Sequence, residues 1–274
     1  MPELPEVETI RQELNTALKG AVILEVVVDK QNLVLGNVTD FKKTLSAAKF
    51  VEVRRRAKLL TFVLEKDNHE IYLTAHLKMT GRFLLRNKGD PRDSYQHVWF
   101  VVGNKELRFC DLRQFGYLQL VSKPDLDEIL EAYGPEPLDD LALEEFVRRL
   151  KRNMPIKPLL LDQKVFSGIG NIYANEALFK AKILPQRKAI SLTNTEAAKL
   201  FTAVGEVLAL GLKFKGTTTR DESFRDIYDK PGQNSQNLLV YEKNGGLCPN
   251  NCGEKIKKIM LGGRGTYFCS HCQV

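Results

Sequence analysis

The first apolar positions of the chain recur with the period of a helix. Between residues 4 and 18 one face is hydrophobic, at Val7, Ile10, Leu14 and Leu18. Pro5 suits the first turn of such a helix, and Gly20 suits the position just beyond its end. The pattern therefore predicts an N-terminal helix over Leu4–Leu18.

After this helix the apolar positions form short runs that are typical of strands. The runs are rich in Val, Ile, Leu, Phe and Tyr, and turn-forming residues at 87–91 and 103–104 separate some of them. Strands are predicted at Val22–Asp29, Phe50–Arg54, Leu59–Leu64, Glu70–Thr74, His97–Val102, Glu106–Cys110 and Gly116–Val121. This succession predicts an antiparallel β-sandwich or a flattened barrel, which with the first helix spans residues 1–121.

The second half of the chain has a helical pattern. Residues 122–140 hold three prolines and a glycine, and this composition predicts an interdomain linker. Helices are predicted at Leu143–Arg152, Pro158–Phe166, Ile172–Lys180 and Thr193–Lys213, and a long mobile loop over 215–237. The expected organisation is α+β and multidomain: a helix and β-sandwich (1–121), a linker (122–140), a helical domain (141–237) and a cysteine-bearing module (238–274).

Charge adds a polyanionic partner to this picture. The net charge is +7 and the pI is about 9.1. The cations are clustered at 54–58, 148–157 and 255–264, and three separated basic segments suit contacts along a phosphate backbone. Ordinary solvated surface charge is the alternative interpretation of each cluster.

The chain shows no sign of membrane insertion or export. No apolar run reaches the roughly 18 residues of a spanning helix. The first eight residues are acidic and contain two prolines, unlike the basic and apolar start of a signal peptide. We therefore expect a cytoplasmic protein without a membrane partner.

Four of the five cysteines lie close to the C-terminus, in two pairs. Cys248 and Cys252 are followed by Cys269 and Cys272, with a predicted β-hairpin over 255–267 between the pairs. Such spacing lets four thiolates converge on one tetrahedral metal ion, and zinc is the usual structural metal for four sulfurs. A disulfide is the alternative, disfavoured in a reducing compartment. At the hairpin tip Arg264 stands between glycines, where an arginine suits phosphate binding.

The N-terminus offers a nucleophile. Residue 2 is proline, and removal of Met1 would expose a secondary amine whose α-amino pKa is near ~8. Such an amine attacks carbonyl-like carbons and forms a cationic iminium, which favours elimination at the neighbouring carbon. Glu3 and Glu6 are positioned to move protons. An ordinary acidic helix start is the alternative.

Three motifs together carry a resemblance to a known family. They are Pro2–Thr9 (PELPEVET), Asn171–Tyr173 (NIY) and the GRGTxFC segment over 263–269. Over nearly its whole length the chain resembles bacterial formamidopyrimidine-DNA glycosylases. The resemblance implies an N-terminal helix plus β-sandwich, a helix–two-turn–helix domain and a zinc finger, with DNA in the cleft between them. It also implies excision of 8-oxoguanine and ring-opened purines, followed by β- and δ-elimination at the abasic site.

Residue roles follow from the same resemblance. Pro2 corresponds to the nucleophile, Glu3 to the general acid or proton shuttle, and Glu6 to a residue that helps to hold the active site. Lys58 corresponds to a lysine beside the lesion and its phosphate. Asn171, Lys157 and Arg264 correspond to phosphate-site residues, Arg264 being counted with the catalytic group. We expect a monomer that acts on damaged double-stranded DNA, associates with the bacterial nucleoid and needs no cofactor beyond one zinc ion.

A flipped base leaves a void in the duplex, and three residues match the family's void-filling wedge. They are Met79, Arg113 and Phe115, and ordinary core packing is the alternative for Met79 and Phe115. Thr217, Thr218 and Arg220, in the segment GTTTRD over 216–221, resemble the start of the loop that closes over the damaged base. The resemblance of this loop favours oxidised purines as substrates. One alternative is an endonuclease VIII-like preference for oxidised pyrimidines, and another is a non-catalytic homologue that binds damaged DNA.

The chain departs from the family pattern at several positions. The first cysteine pair is spaced by three residues where two are usual, and Lys215 stands where glycine is common. The loop sequence over 222–226 and Glu242 also differ. A zinc-ribbon protein that acts on protein partners is a further hypothesis, and it predicts no salt-dependent DNA affinity.

Overall fold

The computed structural model describes residues 1–139, 141–220 and 224–274. Over these ranges the chain divides into two compact units. The first contains residues 1–131 and 214–233, and the second contains residues 132–213 and 234–274. The first unit therefore includes the segment that follows the helical region, which the sequence pattern groups with the helical domain.

The first unit is built on two sheets. Within the described ranges its strands are β1 Ile23–Val28, β2 Val34–Leu35, β3 Lys49–Arg56, β4 Leu59–Lys66, β5 His69–His76, β6 Gly81–Asn87, β7 Gln96–Val102, β8 Lys105–Asp111 and β9 Tyr117–Val121. One sheet has the order β1-β7-β8-β6 and the other β2-β9-β5-β4-β3. All pairings are antiparallel except the short β2–β9 pair. The observed architecture is the antiparallel sandwich that the strand pattern predicts.

A core of buried side chains joins the two sheets and the first helix. Phe62 on β4 contacts Phe83 on β6 with ring centroids 5.5 Å apart, and Phe83 in turn contacts Phe109 on β8. Helix α1 (Leu4–Leu18) adds its apolar face to the same core, as the spacing of its hydrophobic residues predicts. The Asn15 side chain fixes α1 to β3, because its Oδ1 accepts from Val53 N at 2.9 Å. The start of α1 is therefore held by a rigid scaffold.

Two helices of the first unit are not predicted from the sequence. Helix α2 (Val38–Leu45) buries only Phe41 and Leu45, too few positions to establish a helical period. Its N-cap was a readable signal, since Asn37 Oδ1 accepts from Thr39 N at 2.8 Å. Helix α3 (Lys123–Glu131) occupies the first part of the predicted linker. A proline in the first turn of a helix costs no hydrogen bond, so Pro124 was misread as a sign of a linker.

Strand β6 is not predicted from the sequence, and the loop predicted over 215–237 is partly paired. Arg82 and Arg86 flank the three apolar residues of β6, a run too short to predict the strand, which pairs with β8 along its whole length. The described part of the predicted 215–237 loop is held by backbone pairing, with Thr217 opposite Gln233. The conformation of both segments is therefore fixed by tertiary contacts.

The second unit is mainly helical. Its helices are α4 Leu143–Arg149, α5 Ile156–Leu161, α6 Asn171–Lys180 and α7 Asn194–Lys213, and strands β10 Lys257–Leu261 and β11 Arg264–Phe268 form its hairpin. Helix α5 ends before the predicted limit of Phe166. Asp162 ends it, because its backbone and side-chain oxygens accept from the amides of Lys164, Val165 and Phe166 and so form a turn.

Candidate active site and nucleic-acid contacts

The N-terminal residues are buried at the start of α1. Pro2 is buried, and Glu3 and Glu6 are 2% and 1% exposed. Glu3 and Glu6 form a capping box, in which Glu3 N donates to Glu6 Oε2 at 2.8 Å. The other oxygen, Glu6 Oε1, accepts from Thr217 N at 2.7 Å. The Glu6 carboxylate thus links the residue next to Pro2 with the segment that carries the predicted lesion loop.

This link requires glycine at position 216. Gly216 has a φ of +84°, a conformation that residues with a Cβ rarely adopt. A Cβ there would lie 2.8 Å from Phe224 Cε1 and 2.9 Å from Glu6 Cγ. Gly232 is equally constrained, because a Cβ on it would lie 2.4 Å from the Gly216 carbonyl oxygen. The backbone therefore approaches Glu6 as closely as sterics allow.

Lys58 lies in the turn between β3 and β4 and is only 6% exposed. In the sheet, His76 on β5 pairs with Leu59, which is the residue that follows Lys58. Burial, together with the positive charges of Lys78 and Lys58, lowers the pKa of His76 to about 3. A neutral imidazole results, whose Nδ1 accepts from Lys78 N at 3.0 Å. The site therefore holds the Lys58 charge beside an uncharged histidine.

The predicted wedge residues lie in two turns of the first unit. Phe115 is 55% exposed, so the core interpretation is wrong for this residue. Arg113 is also exposed, and its guanidinium lies over the Phe115 ring, 4.8 Å from the centroid. Met79 is half-buried. The Phe115 ring and the Arg113 guanidinium that lies over it are both exposed, so both side chains are available to contact a base.

Asp111, which is not among the predicted site residues, organises both turns. It is 1% exposed, and its Oδ1 accepts from Thr80 Oγ1 at 2.5 Å and from Arg113 N at 3.2 Å. Its Oδ2 accepts from Gly116 N at 2.7 Å. The available signal was an acid at a strand end followed by a glycine, which is typical of side-chain-capped turns.

A left-handed residue precedes three of the predicted contact residues. Ala57 (φ +54°) precedes Lys58, Lys78 (φ +51°) precedes Met79, and Gln114 (φ +55°) precedes Phe115. Non-glycine residues in this region carry a strain of about 1–3 kcal/mol that the surrounding structure must offset. Strain of this kind clusters at functional sites, and here it shapes the turn before each contact residue.

In the second unit Lys157, predicted as a phosphate-site residue, is fully buried. It is 0% exposed, and its Nζ donates to Asn171 Oδ1 (2.7 Å), Gly265 O (3.0 Å) and Thr266 Oγ1 (2.7 Å). These bonds match the three donors of an ammonium group. The Lys157 ammonium joins α5, the start of α6 and the hairpin. The geometry assigns it an internal bracing position rather than a surface one.

Asn171 and Arg264 meet at this brace. Asn171 is the first residue of α6, and its Nδ2 donates to Gly265 O at 3.2 Å. Arg264 is exposed at the start of β11, directly before Gly265. Asn175, one turn further along α6, accepts from Tyr267 N at 2.7 Å. The hairpin is therefore fixed to the N-terminal half of α6, where backbone N–H groups suit an anion.

The four C-terminal cysteines converge. Their sulfurs all lie within 4.8 Å of one another, with Cys248–Cys272 at 3.8 Å and Cys252–Cys269 at 3.6 Å. Four sulfurs at about 2.3 Å from a tetrahedral zinc ion stand about 3.8 Å apart, so the cluster fits zinc. The unusual three-residue spacing between the first two cysteines does not prevent this arrangement.

The predicted lesion-loop residues Thr217, Thr218 and Arg220 lie in the N-terminal part of the 214–233 segment. Thr218 Oγ1 donates to Phe224 O at 2.8 Å and accepts from Gly232 N at 2.9 Å. Arg220 is exposed. The loop positions Asp221, Glu222 and Ser223, which the sequence analysis noted, lie outside the described residues.

Several cations of the basic clusters have acidic partners. Arg54 pairs with Glu52, and Arg55 Nε lies 2.9 Å from Glu8 Oε2. Arg148 and Arg149 pair with Glu145. For Arg54, Arg148 and Arg149 the surface-charge interpretation fits better than a phosphate contact, whereas the Arg55 side chain is only 8% exposed and belongs to an internal ion pair.

No helix in the described part of the chain is long and apolar enough to cross a membrane.

Comparisons with known proteins agree along the whole chain. Family models match residues 1–118 (formamidopyrimidine-DNA glycosylase N-terminal domain), 133–223 (formamidopyrimidine-DNA glycosylase H2TH domain) and 245–274 (zinc finger found in FPG and IleRS). A protein named formamidopyrimidine-DNA glycosylase from Pelotomaculum thermopropionicum is 41% identical over 279 residues, covering 100% of this chain and 99% of that protein. One from Carboxydothermus hydrogenoformans is 40% identical, with full coverage of both.

Solved structures of Lactococcus lactis Fpg are also similar. Complexes with DNA containing Fapy-dG and with DNA containing an abasic site each superpose with a TM-score of 0.91, at 33% and 32% identity. A complex with DNA containing an oxidised pyrimidine superposes with a TM-score of 0.90, at 32% identity. Each covers 99% of both chains.

Proposed function

This chain belongs to the formamidopyrimidine-DNA glycosylase family, and on that premise we propose how its residues carry out the reaction. It is a base-excision repair enzyme, a DNA glycosylase for oxidised purines that also has abasic-site lyase activity. It binds damaged double-stranded DNA and one structural zinc ion. The observation that carries the proposal is the buried Pro2–Glu3 pair, fixed at the start of α1 by Glu6 and Thr217.

Pro2 is the nucleophile in this proposal. Removal of Met1 exposes its imino nitrogen, which attacks C1′ of the damaged nucleotide. The C1′–N bond to the base breaks and the base leaves with a proton. The amine then loses its N–H proton, the C1′–O4′ bond of the sugar ring breaks and O4′ takes a proton, which leaves a cationic iminium between Pro2 and C1′. The iminium withdraws electrons, so a proton is lost from C2′ and the 3′ phosphate leaves. A second elimination releases the 5′ phosphate, and hydrolysis returns free Pro2.

Glu3 moves the protons. In this proposal the buried Glu3 carboxyl, on the residue that follows Pro2, takes up and delivers these protons. Glu6 acts as a positioning residue, because both of its oxygens are engaged by backbone amides of Glu3 and Thr217. Lys58 supplies positive charge to the phosphate beside the lesion.

DNA contacts come from turns of the first unit and from the α6–hairpin region of the second. Phe115, Arg113 and Met79 replace the stacking and pairing lost when the base is flipped. Thr217, Thr218 and Arg220 contact the flipped base. Asn171 and Arg264 contact backbone phosphates, and Lys157 braces both of them. Zinc, when bound by the four cysteines, holds the hairpin folded.

We place the enzyme in the bacterial cytoplasm, as a monomer acting on nucleoid DNA.

Borohydride trapping tests the proposal. The wild-type enzyme, incubated with duplex DNA containing 8-oxoguanine and borohydride, is expected to give a covalent adduct at Pro2, detected by mass spectrometry. Acylation of the terminus must abolish the adduct, and acylated enzyme that stays fully active would refute the nucleophile. Selective binding of damaged duplex with neither adduct nor cleavage would instead identify a non-catalytic homologue.

Oxidised pyrimidines are a second candidate substrate. The similar Lactococcus lactis enzyme has been crystallised with DNA containing one. A panel of duplexes with 8-oxoguanine, a formamidopyrimidine or an oxidised pyrimidine separates the two. We expect faster single-turnover excision of the purine lesions, and the opposite ranking would favour the endonuclease VIII-like alternative.

A further inference from the structure

Lys215 stands in a backbone conformation that favours glycine. Its φ is +54°, and it directly precedes Gly216, whose φ is +84°. A lysine in the left-handed region carries a strain that glycine would not. A contact of the lysine side chain can offset this strain.

The Lys215 ammonium binds Glu13 on α1. Its Nζ lies 3.1 Å from Glu13 Oε1. The second oxygen, Glu13 Oε2, accepts from Ile227 N at 3.3 Å. One carboxylate therefore holds both sides of the segment that carries the lesion-loop residues. The Glu13 side chain is 12% exposed and that of Lys215 is 64% exposed, so solvent screens the ion pair more than it affects the bond from the buried Ile227 amide.

The Ile227 side of the segment is anchored independently. Phe224 and Ile227 are 3% and 0% exposed and belong to the sandwich core. Leu85 N donates to Ile227 O at 2.8 Å, and Arg86 pairs with Asp229 at 3.0 Å. The Glu13 carboxylate therefore connects Lys215 to Ile227, a residue that the core holds in place.

The Lys215 side of the segment is close in sequence to Thr217, Thr218 and Arg220, the residues proposed to contact the flipped base. Two residues after Lys215, the Thr217 amide binds Glu6, which in turn binds the Glu3 amide. Phe214 O accepts from Gln233 N at 2.9 Å, so the base of the segment is paired. Displacement of Lys215 would move the Thr217 amide and the residues that follow it, whereas the Glu3–Glu6 capping box lies at the start of α1 and would keep its own bond.

We propose that Glu13 is a positioning residue for base excision, acting through Lys215 and Ile227 on the residues that contact the flipped base. The inference rests on the proposed function, which places Thr217, Thr218 and Arg220 against that base. An abasic site has no base to hold. Excision therefore depends on Glu13, whereas strand cleavage at a preformed abasic site does not.

Single-turnover kinetics of full-length variants test this inference. Glu13→Ala loses both contacts, and we expect about tenfold slower excision of 8-oxoguanine, a change that corresponds to one or two hydrogen bonds. Glu13→Gln keeps an oxygen for Ile227 N but loses the charge, so an intermediate loss of about threefold is expected. Both should cleave preformed abasic duplex within about twofold of wild type.

Asp127→Ala provides the matched control. It removes the acid of the Lys123–Asp127 ion pair on the surface of the same unit, and excision should stay at the wild-type rate. Urea unfolding identifies any variant that is not folded, in which case Glu13→Gln carries the test. Unchanged excision by the Glu13 variants, or equal slowing of excision and abasic-site cleavage, would overturn the inference. Wild-type protein inactive on both substrates would instead refute the proposed function.

Discussion

At the scale of single residues, Gly216 is where two constraints coincide. The left-handed backbone and the contact with Glu6 each exclude a Cβ, as the distances to Phe224 and Glu6 show. Gly216→Ala should lower the free energy of unfolding by about 2–4 kcal/mol, because strain and overpacking add. Urea denaturation measures this loss.

Gly20 is a matched control for that substitution. Its φ is +82°, yet a Cβ there would have nothing within 4 Å. Gly20→Ala should therefore cost only the conformational part, about 1 kcal/mol. Equal losses in the two variants would show that the contact with Glu6 and Phe224 contributes nothing.

Residue identities were predictable where a motif defines them, and less so where contacts do. The four cysteines were assigned from spacing, and they converge as a zinc site requires. The burial of Lys157 was not predictable, because its acceptors Asn171, Gly265 and Thr266 lie up to 109 residues away. The role of Glu13 was not predictable for the same reason, because its partners Lys215 and Ile227 are more than 200 residues away. Asp111 differs, since its partners Arg113 and Gly116 are close in sequence and the turn signal was readable.

At the scale of elements, the Lys157 brace couples two helices to the hairpin. Lys157→Met keeps the volume but leaves Asn171 Oδ1 and Thr266 Oγ1 without the Lys157 donor, whereas Gly265 O keeps the bond from Asn171 Nδ2. We expect a loss of about 1–3 kcal/mol in unfolding free energy, the usual cost of unsatisfied buried polar groups. DNA binding should weaken because Asn171 and Arg264 lose their shared support.

Salt dependence separates this bracing role from a phosphate contact. Loss of one phosphate contact reduces the slope of log K against log salt by about 0.9. Arg264→Ala should show that reduction, whereas Lys157→Met should keep the wild-type slope. Lys180→Met, which removes an exposed partner of Glu206, is the control for losing a lysine from the same unit. A reduced slope in Lys157→Met would restore the phosphate role.

Elements with a strong hydrophobic period were predicted best. Helix α1 has the predicted limits, and most strands were found within a few residues. Helices α2 and α3 were missed because each buries few residues. Strand β6 was missed because its arginines carry contacts made elsewhere in the fold, such as Arg86 with Asp93 and Asp229. Periodicity records burial, and these elements owe their formation to pairing and capping.

At the scale of the whole molecule, His76 makes stability depend on pH. Its pKa is about 3 in the folded protein and near 6.5 when unfolded. Between these values the unfolded chain binds more protons, so the free energy of unfolding rises with pH. This contribution is complete above pH 6.5 and is lost as the pH falls towards 3.

His76→Asn should flatten this dependence while keeping an acceptor for Lys78 N. Between pH 6.5 and 4.5 the wild type is expected to lose up to about 2 kcal/mol more than the variant, measured by urea unfolding at each pH. Below pH 4.5 Glu196 adds a loss in both proteins, because hydrogen bonds from Arg187 and Thr193 lower its pKa to about 2. His69→Asn, at the exposed end of the same strand, should behave as wild type. Parallel curves for wild type and His76→Asn would contradict this account.

The left-handed residues before Lys58, Met79 and Phe115 bear on how this enzyme would adapt to heat. Glycine at 57, 78 or 114 would relieve backbone strain in the native state but would also loosen the turn that aims each neighbouring side chain. Selection for thermal stability and selection for DNA binding would therefore conflict at these three positions. The same torsion angles set both the backbone strain and the orientation of the side chain proposed to contact damaged DNA.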